Sequence, residues 1–307
     1  MGAGHHHHHG ASSDGRARLA VTLALTTTVL VTQVVGAAWT GSLALLVDAA
    51  HMLTDSLGLV VALIAAVLMA RPPSARRTWG WQRTEVIAAA AQASFLLVVG
   101  TYAIVEAVQR LIAPPQVAAQ GLAVFGGVGL AANVLSLLVL AGGRGHNLNM
   151  RAAFLEVASD ALGSVAVLVA AAVIILTGWQ RADPVAGLVV ATLIVPRALS
   201  LLRETGTILL ESTPAGLDLD EVRRHLAGQP HVLDVHDLHA STIASGLPVL
   251  TAHVVLDEEC FTDGHGPQLL DRMLRCLASH HELTIEHCTL QFETPSLAAH
   301  HAEHLHA

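Results

Sequence analysis

Six apolar runs dominate the first two thirds of the chain, at 18–38, 43–69, 86–111, 117–141, 150–177 and 184–202. A helix needs roughly 20 residues to cross a hydrocarbon core about 30 Å thick, and each run meets that length. In lipid every backbone N–H and C=O must be satisfied within the protein, so runs of this kind can only become spanning helices. Composition agrees: 53% of the residues are hydrophobic and 13% charged, against roughly 25% charged in an average soluble domain. The expected fold is an all-α six-helix transmembrane bundle over 18–206, preceded by a histidine-containing tail at 1–17.

The arginines set the orientation. Arg16 and Arg18, then Arg71, Arg76, Arg77 and Arg83, then Arg144 and Arg151 mark one side of the bilayer, while Arg110 and Arg181 mark the other. Positive charge collects on the cytoplasmic side, so a multi-pass protein of the cell membrane with both termini in the cytoplasm is expected. The first run is long and is followed by no small-residue cleavage site, which argues against a secretory signal. Cys260, Cys276 and Cys288 all follow the last run, face a reducing compartment and are expected as free thiols. Lysine is absent from the sequence. A phosphate-binding loop requires one, so nucleotide hydrolysis by that route is excluded; no nucleotide cofactor and no nucleic-acid partner are expected.

Near Thr207 proline, glycine and charge appear, and no later run could span a bilayer. Periodicity predicts a helix from about Asp218, strands over HVLDVHDLHASTIA and LPVLTAHVVLD, a helix over DGHGPQLLDRMLRCLASHH and a strand over LTIEHCTLQFE. An αββαβ order within 207–295 makes a small C-terminal α+β domain, helices on one face of three strands. Histidine-rich ends complete the chain: HHHHH at 5–9, read equally as an affinity tag or as native, and a tail at 296–307 ending AHHAEHLHA. Either end would collect metal loosely.

Ionisable residues interrupt the second run. Asp48, His51 and Asp55 are spaced three and four apart, so a helix aligns them on one face. Each charge at a bilayer centre costs about 2.5–3.5 kcal/mol, and such residues mark substrate paths or proton relays. Aligning AHMLTDSLGLVVAL (50–63) with LEVASDALGSVAVL (155–168) sets His51 opposite Glu156, Asp55 opposite Asp160, and Leu57-Gly58 opposite Leu162-Gly163. The two runs are antiparallel, so both pairs fall near mid-membrane. His51, Asp55, Glu156 and Asp160 then form a nitrogen-and-oxygen donor set that suits a divalent transition metal, zinc first. The glycines would let the helices approach closely.

Other polar residues have structural readings. Asn133, Gln92 and Gln33 read as interhelical glue. Asp48 would either line a pathway or reach water. Arg83 and Glu85, and likewise Glu106, read as paired surface charges or gate contacts rather than ligands.

The segments GSLALLVDAAHMLTD, WGWQRTEVIAAAAQ, NMRAAFLEVASDALGSVAVL, LLESTPAGLDLDEV and DVHDLHASTIASG together resemble the cation diffusion facilitator family, in particular its zinc-transporter branch, from about 18 to 295. The resemblance implies a cytoplasmic ferredoxin-like domain, a homodimer, and export of zinc in exchange for protons. It places transported metal on His51, Asp55 and Asp160, and regulatory metal on His236, His253 and Glu293; His239, His287 and Cys288 are candidate added ligands, read equally as solvated strand histidines and a small buried thiol. Glu156 departs from the histidine usual in this branch. Three carboxylates around a dication leave a charge of −1, which gives cobalt, cadmium, iron or manganese more weight, since oxygen donors suit harder ions. The loop RPPSARRTWGW holds no histidine or acid, so a second metal site that some relatives carry there is not expected. AGGRGHNLN is not a histidine-rich tract.

Metal and proton compete for the same donors, so Glu156 and His51 are expected to carry the proton as the helices alternate access around the site. Coupling is needed because two charges moved against 100 mV cost about 4.6 kcal/mol. An intramembrane metallohydrolase is a rival reading, but the spans hold no HExxH pair. A metal sensor that does not transport is a second rival; six spans are more than it needs. No enzymatic activity is expected.

Overall fold

The computed structural model describes residues 13–141, 148–262, 264–279, 285 and 287–304, with the side chains at 13–26, 59, 62, 140, 141, 148–153, 156, 278, 279 and 301–304 outside that description. Six long helices come first: α1 (Ser13–Thr40), α2 (Leu43–Met69), α3 (Thr84–Ile112), α4 (Ala119–Ala141), α5 (Leu148–Thr177) and α6 (Ala182–Leu209). Among the described residues five helices are long and apolar enough to cross a membrane, namely α2 to α6 or most of each. The expected run at 18–38 falls in α1, a helix of 28 residues whose first half lies partly outside the described side chains. Helix α6 runs seven residues beyond the apolar run, which was expected to stop at 202. Arg203 and Glu204 end the hydropathy signal but are ordinary helix formers, so the helix outlasts the grease.

Two compact units divide the chain: Met1–Leu59 with Gln92–Ser200, and Val60–Ala91 with Leu201–Ala307. In the first, large apolar side chains point outward, as Leu53, Leu57, Val98, Leu138 and Leu193 do, which suits lipid as the surrounding solvent. Its interior is built from small residues and a few leucines, among them Ala44, Leu45, Leu122, Val167, Ala170 and Ala171. Small residues let helices approach closely where lipid supplies no hydrophobic drive. A Cβ added at Gly36 would strike the Phe125 ring, 2.6 Å from Cγ.

The start of α2 is held by a residue far away in sequence. Asp183, fully buried at the start of α6, accepts from the Ser42 hydroxyl and from the backbone N–H groups of Leu43 (2.8 Å) and Ala44 (3.4 Å). Helix N-termini leave four N–H groups without intrahelical partners, and here a carboxylate from another helix satisfies two of them.

The second unit carries the C-terminal α+β domain: α7 (Leu219–Ala227), β1 (Val232–Ala244), β2 (Leu247–Leu256), a 3-10 turn (Glu258–Phe261), α8 (Gly266–Ser279), β3 (His287–Glu293) and α9 (Pro295–His304). Asp218 caps α7 by accepting from the N–H groups of Asp220 and Glu221, the arrangement that makes aspartate a favoured N-cap. The sheet order is β1-β2-β3, with β1 and β2 antiparallel and β2 and β3 parallel. Val222 and Leu226 of α7 and Leu269, Met273 and Leu277 of α8 pack on Leu250, Val254 and Leu256. Each such side chain contributes about 1.5–3 kcal/mol by leaving water. Helix α9 occupies 295–304, where a tail was expected. Within this unit Arg83 Nη2 also pairs with Glu211 Oε1 at 2.6 Å, and the Trp79 ring meets His287 edge-on at 5.3 Å.

Candidate metal centre

Helix α2 carries Asp48, His51 and Asp55 on one face, and α5 brings Asp160 to it. His51 Nε2 lies 3.4 Å from Asp55 Oδ2 and 3.7 Å from Asp160 Oδ1. His51 and Asp160 are buried and Asp55 is half-buried. Three of the four ligands expected in the membrane are therefore gathered. The Glu156 backbone lies in α5, one turn before Asp160, while its side chain is among those outside the described residues. A cavity of about 170 Å³ lies against this group, lined by Asp48, His51, Asp160, Gly163 and, from α6, Arg197.

Asp48 does not reach water. It is 2% exposed and accepts a 2.7 Å hydrogen bond from Gln33 Nε2 of α1. Gly163 makes room for it, since a Cβ there would come within 3.1 Å of Asp48 Oδ1. The matching glycine of α2, Gly58, packs instead on α3, where a Cβ would fall on the Gln92 amide. Asn133 of α4 donates to Ser164 Oγ of α5 at 3.3 Å. Gln33 and Asn133 thus tie helices together as expected. Glu106 pairs with Arg110 at 2.8 Å, and Arg110 Nη1 donates to the Gly41 carbonyl at 2.7 Å.

A second cluster forms on the sheet. His236 of β1 stands opposite His253 of β2, and β3 delivers Glu293 beside them. Glu293 is fully buried, with Oε2 3.1 Å from His236 Nε2 and Oε1 2.8 Å from His253 Nδ1. One donor atom from each residue lies within 4.8 Å of the others, the grouping the resemblance implied. Two imidazoles and a carboxylate are a donor set that fits zinc.

The three added ligands stand differently. A break in the β1 register between His236 and His239 puts Asp237 at φ 48°, facing both histidine neighbours. Its carboxylate lies 2.8 Å from His239 Nε2 and 3.7 Å from His253 Nε2. The His239 hydrogen bond, with lesser attraction from the nearby imidazoles, holds the Asp237 carboxyl below its ordinary range against the effect of burial. Sequence reasoning missed Asp237; the signal was its place between two histidines in HDLH. His287 and Cys288 pair with Val249 and Leu250, four and three rungs from His253 along the ladder. At about 3.3 Å per rung they are too far from the cluster to join it. Cys288 packs on the domain core, where burial pushes its thiol up to about 12.

Comparison with known proteins agrees with this architecture. Residues 19–210 match the family model for the cation efflux transmembrane domain. The chain is 40% identical over 308 residues to the metal cation efflux system protein CzcD of Cupriavidus metallidurans, covering 100% of this chain and 95% of that protein. It is 38% identical over 291 residues to the zinc transporter ZitB of Escherichia coli, covering 94% and 91% respectively. Against a cadmium, cobalt and zinc/H(+)-K(+) antiporter of Bacillus subtilis the identity is 37% over 281 residues, covering 90% and 88%. A solved structure of the metal-bound C-terminal domain of the CzcD transporter from Cupriavidus metallidurans aligns at 35% identity with a TM-score of 0.23, covering 25% of this chain and 99% of that one. The protein belongs to the cation efflux family. It is a multi-pass membrane transporter of cations and not an enzyme.

Proposed function

We propose that the protein exports divalent metal cations, zinc first, with cobalt and cadmium as alternative cargo, by exchange for protons. The observation that carries this reading is His51 of α2 between Asp55 and Asp160, buried within a bundle whose outer faces are apolar. Relatives bearing the words zinc, cadmium and cobalt support the choice of ions. Glu156, one turn from Asp160 on α5, completes the donor set. His51, Asp55, Glu156 and Asp160 shed protons to accept the cargo and regain them on release, with Glu156 and His51 carrying the exchanged proton. Asp48, held by Gln33 in the same cavity, lines the pathway one turn from His51. Rocking of the helices around the site exposes it to each side in turn.

The remaining architecture follows the same reading. The tail at 1–17 precedes a transport domain at 18–206 in which α1 supplies the sixth span; 207–295 forms a ferredoxin-like cytoplasmic domain and 296–307 the terminal segment. Both termini face the cytoplasm. His236, His253 and Glu293 hold a regulatory zinc, which favours association of two cytoplasmic domains in a homodimer. The test is uptake by proteoliposomes of zinc, cobalt, cadmium, iron and manganese across an imposed proton gradient. Gradient-driven accumulation of zinc supports the reading; vesicles that accumulate no dication under any gradient refute it.

A further inference from the structure

The cavity beside His51 and Asp160 has one arginine among its described lining residues, Arg197 of α6. Arginine keeps its proton at every physiological pH and has donors but no acceptor. Arg197 therefore cannot ligate a cation and acts on one by repulsion alone. A guanidinium on a membrane-spanning helix is costly, and charges of this kind persist where they face partners of opposite sign. Asp48 and Asp160, lining the same cavity, supply that sign.

We infer that Arg197 is the fixed countercharge of the transport site, balancing its carboxylates when the site is empty and weakening its hold on a dication when it is full. This rests on the site proposed above. Charge arithmetic supports the role: Asp55, Glu156 and Asp160 with a dication carry −1, an ionised Asp48 beside them makes that −2, and one guanidinium offsets one of these charges. Arg197 is exposed rather than enclosed, so it acts by its charge across the cavity and not by burial. A carrier must also release its cargo, so affinity has to be limited, and a permanent positive neighbour limits it without competing for coordination positions. Arg197 is thus a positioning charge that tunes affinity, not a ligand.

The test uses the full-length protein in lipid nanodiscs with His236→Ala and His253→Ala in place and the histidines at 5–9, 300, 301, 304 and 306 also replaced by alanine, so that zinc titrated against a competing chelator reads the membrane site. Arg197→Gln is expected to tighten zinc binding by about tenfold or more, since a unit charge near a dication matters strongly at protein dielectric, and to slow zinc delivery into vesicles. Arg197→Lys keeps the charge and is expected to restore wild-type affinity. Unchanged or weaker binding by Arg197→Gln overturns the inference, and so does a lysine variant that behaves like the glutamine one. If the glutamine variant does not fold, Arg197→Met is read in its place. Asp160→Asn separates the two readings. If it abolishes binding while Arg197→Gln is silent, the countercharge alone falls; if Asp160→Asn binds zinc as wild type does, the site itself lies elsewhere.

Discussion

His51 Nε2 on α2 stands 3.7 Å from Asp160 Oδ1 on α5, and that separation joins two helices through their ionisable side chains rather than through apolar packing alone. In sequence, His51 and Asp160 belong to the two copies of a repeated pattern of donor, three residues, aspartate, in which His51 aligns with Glu156 and Asp55 with Asp160. The pair therefore makes the proposed transport site a place where two helices meet, and changes that move either helix are expected to move the site.

Gln33 is the partner that orients Asp48. Replacing it with leucine leaves a buried carboxylate without its 2.7 Å donor. A buried carboxylate left without its partner costs about 1–3 kcal/mol, roughly 10–100-fold in an equilibrium. Gln33→Leu is expected to lower the zinc transport rate in that range while Gln33→Asn, which keeps an amide, loses less; initial-rate uptake in proteoliposomes measures both.

Gly58 and Gln92 are a steric pair. An alanine methyl at 58 would overlap the Gln92 amide, the far end of a flexible side chain that can swing aside, so the cost lies at or below the low end of the about 1–3 kcal/mol of overpacking. Gly58→Ala is expected to lower the thermal midpoint in detergent, and Gly58→Ala with Gln92→Ala to recover most of the loss. Additive losses in the double variant would show that the two residues do not meet.

Asp183 caps α2 from α6. Removing its carboxylate strands the N–H groups of Leu43 and Ala44 and the Ser42 hydroxyl, at about 1–3 kcal/mol for each buried group left unsatisfied. Asp183→Ala is expected to be among the most destabilising single changes in the bundle, with Asp183→Asn milder. Thermal unfolding followed by circular dichroism distinguishes them.

Cys288 tests the placement of the sheet. With its thiol pushed up to about 12, the neutral form dominates at pH 8 and the reactive thiolate is scarcer than in an ordinary cysteine by on the order of a thousandfold. Alkylation of the native protein by iodoacetamide is expected to be correspondingly slow at Cys288, to rise about tenfold per pH unit towards pH 11, and to be unaffected by zinc. Protection by zinc would return Cys288 to the list of ligands.

Much of this architecture was legible because lipid imposes long, unbroken signals. The run at 43–69 coincides with α2; helical spacing puts His51 and Asp55 on one face of it, and the doubled pattern pointed to Asp160 on a second helix. What was not legible depends on who meets whom across the bundle. Asp183 is by its position a first-turn acid of α6, and nothing local says that it caps α2. Asp48 read as either pathway or surface until Gln33 and Gly163 enclosed it. Cys288 seemed available to metal because sequence proximity to histidine does not reveal strand register, which places it against the core. Arg197 lay inside an apolar run and drew no attention; only the cavity shows which side it faces.

Proton-driven zinc uptake by proteoliposomes containing wild type or Asp160→Asn bears most directly on the central claim, that one site between α2 and α5 holds the cargo. The account predicts accumulation by wild type that collapses when the proton gradient is dissipated, and background uptake by Asp160→Asn at equal protein content. Wild-type uptake through Asp160→Asn would contradict it.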